Sequence, residues 1–378
     1  GDGSGCGRCT ALGGGGRGRL VLRHEDPDQQ PECNQGDQGD DASADPVNRR
    51  RLRTLACQHI AHSARVGNAT PVPGAPRRAA AGRVAGRLYS GAVDRTRLAA
   101  SIVSWYGDHA RDLPWRRPDT SPWAVLVSEF MLQQTPVRRV LQPWSDWLRR
   151  WPTPASLAAD PVGEAVRAWG RLGYPRRARR LHASATAIVE RHGGVVPRDP
   201  DALRALPGVG DYTAAAVASF AFGARQVVLD VNVRRVLARL ECGSDTPTGE
   251  PTVAERRRAE AWLPANGADR WSVAVMELGA QVCRAADPAC AGCPVSADCR
   301  WLAAGRPSGP PRRRQLYAGT DRAARGHLLA QLRAISPADT LAENRLVAGW
   351  PDRSQACRAL TSLLDDGLVH VADDGYRL

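Results

Sequence analysis

The sequence predicts an all-α fold, on three observations. No alternating apolar pattern of the kind that marks strands or hairpins occurs between residues 94 and 300. Four dipeptides in that region, Ser121-Pro122, Thr135-Pro136, Thr153-Pro154 and Asp160-Pro161, each set a capping side chain before a proline suited to the first helical position. The run Leu206 to Gly210, LPGVG, reads as a tight turn between two helices, with Gly208 and Gly210 permitting backbone angles and approaches that a Cβ would block. Asp211 would then cap a helix through Ala214 and Val217 to Phe222, stopped by Gly223. The amides exposed at such a helix start suit a phosphate.

Residues 1–93 are poor in large apolar side chains. Runs such as GGGGRGR and GDQGDDASADP cannot bury enough surface to offset chain entropy, so the reading is a disordered N-terminal extension. Cys6 and Cys9 form a C-x-x-C with no matching pair nearby. Order is expected from Asp94, where Leu98, Ile102, Trp105 and Tyr106 share one helix face. After the loop Asp112 to Arg116 comes SPWAVLVSEFMLQQT, apolar almost all round and therefore a buried helix. Glu129 lies inside it, with Gln133 one turn on along the same face. A carboxylate there must be paired, protonated or facing a cleft, and burial would raise its pKa as a general acid requires.

Further helices follow from Pro136, carrying Val140, Trp144 and Leu148, and from Arg176 to His192, ended by Gly193-Gly194. Beyond the acidic Asp230, one helix carries Val233, Val236, Leu237 and Leu240. Another runs through Trp271, Val275 and Leu278 into a cysteine-rich loop. A Pro/Arg linker, 305–314, leads to a tail, 315–378. Helices near Arg322–Ala334 and Arg353–Leu364 precede two short strands, Leu368–Val371 and Tyr376–Leu378, which suggests a winged-helix-like C-terminal module.

The chain has 378 residues and a formal charge of +13, and all 52 of its basic residues are Arg. That length accommodates two domains, and no apolar run is long enough to span a membrane, so the expectation is a soluble chain with a polyanionic partner such as nucleic acid. Its start lacks a basic stretch followed by an apolar one, so the chain reads as not secreted. Of ten cysteines, Cys283, Cys290, Cys293 and Cys299 are spaced C-x6-C-x2-C-x5-C. Four thiols so close in a non-secreted chain read as a metal or cluster site, and spacing alone leaves zinc and iron–sulfur both open.

VSEFMLQQT, RLGYPRRAR (Arg171 to Arg179), LPGVGDYT, LDVNVRRVLAR (Leu229 to Arg239) and the four-cysteine loop occur in this order. Over about residues 96–304 the chain resembles the helix-hairpin-helix DNA glycosylases with an iron–sulfur loop, and within them the A/G-specific adenine glycosylases of the MutY type. The resemblance implies a two-lobed glycosylase domain, 94–304. One lobe is a helical barrel at about 115–224; the other combines 94–114 with 225–304. It implies a [4Fe-4S] cluster on Cys283, Cys290, Cys293 and Cys299, and a substrate of duplex DNA with adenine mispaired against 8-oxoguanine or G. It makes Glu129 the general acid and Asp230 the carboxylate beside the oxocarbenium ion, with Tyr212 and Asn232 supporting that carboxylate. Trp115 and Arg116 fall around the adenine pocket, Leu132, Gln133 and Gln134 near the flipped base, and Tyr174 beside the opposite base. Gly208 and Gly210 form the backbone turn that grips phosphate.

The chain departs from the family pattern at Pro175, where a second tyrosine is usual, at Val231 between the Asp and Asn, and at Val273, where many members carry Glu or Gln. The tail is too short for the Nudix-like domain many members have. The related endonuclease III branch uses a lysine just after the hairpin to nick DNA. Tyr212 stands there and the chain has no lysine, which implies a monofunctional enzyme. The implied setting is cytoplasmic, nucleoid-associated and monomeric. Two other readings stay open: a glycosylase of the same fold for another mismatched or damaged base, and a non-catalytic iron–sulfur DNA-binding protein.

Overall fold

Several helix starts follow local capping chemistry, and at others the expected cap residue is engaged by a different partner. The computed structural model describes residues 93–309 and 317–378, so the expectations for residues 1–92, Cys6 and Cys9 among them, and for the second half of the 305–314 linker, 310–314, lie outside the described residues. Helix α1 (Arg95–His109) starts at Asp94, whose carboxylate accepts from the Arg97 amide at 3.0 Å. Helix α2 (Pro122–Leu132) is capped by Ser121; α3 spans Val137–Arg150; and α4 (Pro154–Ala159) opens on a Thr153/Ser156 capping box. Then come α5 (Val162–Ala168), α6 (Arg176–His192), α7 (Pro200–Arg204) and α8 (Asp211–Phe222). Gly193 and Gly223 end α6 and α8 in left-handed conformations, with φ of 60° and 68°.

Three expected caps are displaced by one residue. Pro136, Pro161 and Gly210 occupy the cap positions, without a side-chain cap, in place of Thr135, Asp160 and Asp211. Each displaced side chain is engaged elsewhere. Thr135 Oγ1 accepts from Arg177 at 2.9 Å, Asp160 accepts from Trp151 Nε1 at 2.9 Å, and Asp211 pairs with Arg204 at 3.0 Å.

The chain continues with α9 (Val231–Leu237), which widens into a π-turn over Ala238–Cys242. It is followed by α10 (Val253–Glu260), α11 (Ala268–Gln281) and α12 (Arg300–Ala303). Two apolar cores result, the two lobes of the fold. The first gathers Phe130, Val140, Leu181, Ile188 and Val217 with the edge-to-face tryptophans Trp147, Trp151 and Trp169. The second joins Leu98 and Ile102 of α1 to Val233, Leu237, Trp271 and Leu278.

The tail forms α13 (Asp321–Ala334), α14 (Glu343–Ala348), α15 (Arg353–Asp365) and an antiparallel pair, β1 (His370–Ala372) and β2 (Gly375–Arg377), in register Val371 to Tyr376. Helix α14, absent from the sequence reading, is six residues long and shows less than two turns of periodicity. This winged-helix-like module shares the first of the two cores through Leu328, Leu332 and Leu360. Arg167 donates to the carbonyls of Arg333 and Ile335 at 2.8 and 2.7 Å, and Asp366 pairs with Arg176 and Arg325. Gly163 admits the chain's last residue, since a Cβ there would stand 2.6 Å from the Leu378 carbonyl oxygen.

Candidate active site

Glu129 is carried into the interior by its own helix. Every residue of α2 from Trp123 to Met131 is buried, Glu129 included at 5% exposure. A helix ending inside a core leaves carbonyls that need donors. Arg177, buried on α6, supplies them: Nη1 donates to the carbonyls of Phe130 and Met131 at 2.8 and 3.0 Å, and Nη2 to Gly173 at 3.0 Å. Burial lowers this guanidinium to about 10, which leaves it charged at neutral pH. Past this end the backbone turns through Gln134 at a φ of 53°, setting Leu132, Gln133 and Gln134 on a cavity wall.

Asp230 caps α9. Its Oδ1 accepts from the Val233 amide and its Oδ2 from Asn232 Nδ2, both at 2.7 Å. Asn232 is itself oriented, because Arg235 Nη2 donates to its Oδ1 and to the Gly279 carbonyl, each at 2.7 Å. Only a glycine fits at 279, since a Cβ there would lie 2.7 Å from that of Asn232.

Glu129 and Asp230 line one cavity of about 1320 Å³, and so do Tyr212, Asn232, Trp115, Arg116, Leu132, Gln133, Gln134 and Gly210. Burial, reinforced by the charge of Asp230, raises Glu129 to about 7, against the Tyr212 hydrogen bond and the Arg116 charge, which lower it. Asp230 is also raised by burial, but its bonds to Val233 and Asn232 and the nearby Arg235 favour its charged form. Tyr212 is pushed well above its ordinary value by burial and both carboxylates, and its hydroxyl bonds to Glu129. The hydrogen-bonded support of Asp230 therefore comes from the Val233 amide and Asn232, whereas Tyr212 serves Glu129. The cavity combines one carboxyl poised to hold a proton at neutral pH with a second held by donors that favour its anion, which suits acid-assisted departure of a group from a cationic centre.

Two expected residues do not line this cavity. Gly208, at φ 82°, is a packing position whose Cβ would stand 2.7 Å from that of Arg180 and 3.1 Å from the Phe130 ring. Tyr174 is 43% exposed, at a φ of 47°, with the guanidinium groups of Arg177 and Arg322 at 5.6 and 5.4 Å from its ring. The sequence reading missed Arg111 on the cavity wall and Glu277, buried behind it. Their pairing spans more than 160 positions, and no local pattern announces it.

The cysteine loop closes the second lobe. Among the described residues no three His, Cys, Asp or Glu side chains are arranged to hold a single metal ion. Each of Cys283, Cys290 and Cys299 nevertheless adds its charge to the effects on Cys293, whose thiol burial pushes up to about 12. Arg239 Nη1 points at Cys283 Sγ from 3.5 Å. Four half-buried thiols with Arg239 beside one of them are a soft donor set of the kind that holds zinc or an iron–sulfur cluster. Among the described residues no helix is long and apolar enough to cross a membrane.

Comparison with known proteins identifies the family. Residues 127–263 match the HhH-GPD superfamily base excision DNA repair protein family. The chain is 53% identical over 281 residues to the adenine DNA glycosylase of Mycobacterium tuberculosis (strain CDC 1551 / Oshkosh), spanning 73% of this chain and 91% of that protein. It is 51% identical over 278 residues to the adenine DNA glycosylase of Mycolicibacterium smegmatis, spanning 72% and 93%. Among solved structures it resembles a thermostable thymine-DNA glycosylase, with a TM-score of 0.51 and 28% identity over 55% of this chain and 95% of that one. The chain belongs to the adenine DNA glycosylase family of helix-hairpin-helix base-excision repair enzymes, which hydrolyse N-glycosyl bonds in DNA.

Proposed function

We propose that this enzyme removes adenine mispaired with 8-oxoguanine or G from duplex DNA, acts as a monomer and leaves an abasic site without cutting the strand. One observation carries the reading: Glu129, raised to about 7, and the donor-held Asp230 share a single cavity. Glu129 gives its proton to a ring nitrogen of the extruded adenine. The glycosidic bond breaks with its electron pair leaving on the base, and water adds to the sugar, losing its proton to the Glu129 carboxylate. General acid catalysis of this kind contributes roughly 10²–10⁴ in rate. The Asp230 anion stands beside the cationic sugar, where a carboxylate about 4 Å away is worth on the order of 4 kcal/mol at an effective dielectric of 20.

Trp115 and Arg116 border the base, and Leu132, Gln133 and Gln134 fill the space it leaves in the stack. Tyr174 meets the opposite base, and the Gly208–Gly210 turn receives a phosphate. Cys283, Cys290, Cys293 and Cys299 would hold a [4Fe-4S] cluster that stiffens the loop. With Tyr212 after the hairpin and no lysine in the chain, side-chain amine chemistry at the abasic site is absent.

The test is a single-turnover panel on duplexes bearing A or T opposite 8-oxoguanine, G and C. The expected result is release of A opposite 8-oxoguanine and G, with scission only after alkali. Faster release of T, or scission keeping pace with base release, would overturn the reading.

A further inference from the structure

Arg116 is the cation that Glu129 feels, and Arg116 is tethered: its Nη1 donates to Glu277 Oε2 at 2.8 Å. The Glu277 side chain is wholly buried on α11, among Ala274, Val275 and Leu278. Arg111 Nη2 donates to Oε2 at 2.8 Å, Gln281 Nε2 to Oε1 at 2.7 Å, and the Arg111 amide and Nε complete the set. Burial alone would raise this carboxyl, but Arg111 and Arg116 outweigh it and hold it below the usual carboxylate range. A buried ion cluster of this kind gains little stability over apolar packing, so its use lies elsewhere.

Resting on the reading of Glu129 as general acid, we infer that Glu277 is a positioning residue for excision: it ties Arg116 to the cavity wall and so sets how much positive charge reaches the acid. The groups facing Glu129 are Tyr212, Asp230 and Arg116, and those facing Glu277 are Arg111, Arg116 and Gln281. With Glu277 neutral, Arg111 and Arg116 repel each other, and the freed Arg116 donor turns to the nearest carboxylate in the cavity. The proton affinity of Glu129 then falls.

The experiment is single-turnover excision from pH 5 to 9 with the full chain. Activity needs protonated Glu129, so the wild-type rate falls on the alkaline side around pH 7. In Glu277→Gln this limb moves to lower pH by about one unit, giving about tenfold slower excision at pH 8 but within about twofold of wild type at pH 5. Glu277→Asp reverses much of the displacement, and Arg116→Leu added to Glu277→Gln returns the limb to its wild-type position or above. A loss equal at every pH would overturn the proposal, as would a limb still displaced in the double variant. If Glu277→Gln fails to fold by circular dichroism, Arg116→Leu alone decides: its limb moves to higher pH, and an unmoved limb overturns the proposal. A wild-type profile without an alkaline limb would sink the assignment of Glu129 itself and, with it, any tether that acts through that acid, whereas an unmoved limb in the variants sinks the tether alone.

Discussion

Glu129 and Asp230 lie about a hundred positions apart and border the same cavity, where the charge of Asp230 adds to the burial that raises Glu129. Each carboxyl feels an arginine charge, Glu129 that of Arg116 and Asp230 that of Arg235, but their hydrogen-bond partners differ. Glu129 has a phenol, and Asp230 has an amide, a backbone N–H and a helix N-terminus. Those partners give two identical functional groups different surroundings: burial keeps a proton on one, and amide donors favour the charged form of the other against its own burial.

The raised Glu129 costs stability when it ionises. Its native value of about 7 lies above the ordinary 4.5, so stability is full below 4.5 and declines as pH rises through 7. Glu129→Gln is therefore expected to be more stable than wild type at pH 8, by on the order of 3 kcal/mol, with the gap closing toward pH 4.5. Denaturant melts at the two pH values read this directly. The same variant loses at least about 10²-fold in single-turnover excision while still binding substrate duplex.

Gly279 is the contact through which α11 lets Asn232 reach Asp230. Gly279→Ala would drive a methyl into Asn232 and cost about 1–3 kcal/mol of stability by overpacking. Excision should fall more than duplex affinity, because the displaced amide supports a carboxylate and not the DNA. Equal kcat and KM in mutant and wild type would contradict this chain of contacts.

Arg177 closes the end of the helix that carries Glu129. In Arg177→Met the buried carbonyls of Phe130 and Met131 lose their donor. The expected cost is about 3–5 kcal/mol, as for a buried charged network missing one partner, seen as a large drop in melting temperature. Arg177→Lys should recover little, since one ammonium cannot span both Met131 and Gly173.

Cys293→Ser should yield protein with less bound iron and a weaker visible absorbance. The effect is expected to reach the cavity through Arg235, whose Nε donates to the Cys283 carbonyl at 2.6 Å while its Nη2 holds Asn232. Iron analysis and an excision assay on the same preparation check both halves. Full iron content with a zinc-free, colourless spectrum is not an available outcome for the cluster reading, and zinc in wild type would refute it.

Much of the fold was legible in the sequence because it depends on near neighbours. Ser121 and Thr153 before prolines start helices, Gly193 and Gly223 end them, and the all-round apolarity of the segment before Gln133 buries Glu129. Such features are set within a few residues, by φ restrictions, cap hydrogen bonds and side-chain periodicity. Tertiary structure decided what pairs across the chain: Tyr212 with Glu129, Arg177 with the end of α2, Glu277 with Arg111 and Arg116, and the tail's Leu332 with the first of the two cores. It also overruled the caps at Thr135, Asp160 and Asp211, whose side chains found stronger partners in arginine and tryptophan. A polar side chain takes the donor or acceptor that burial brings to it, and which one arrives depends on how helix faces pack, which no short window of sequence contains.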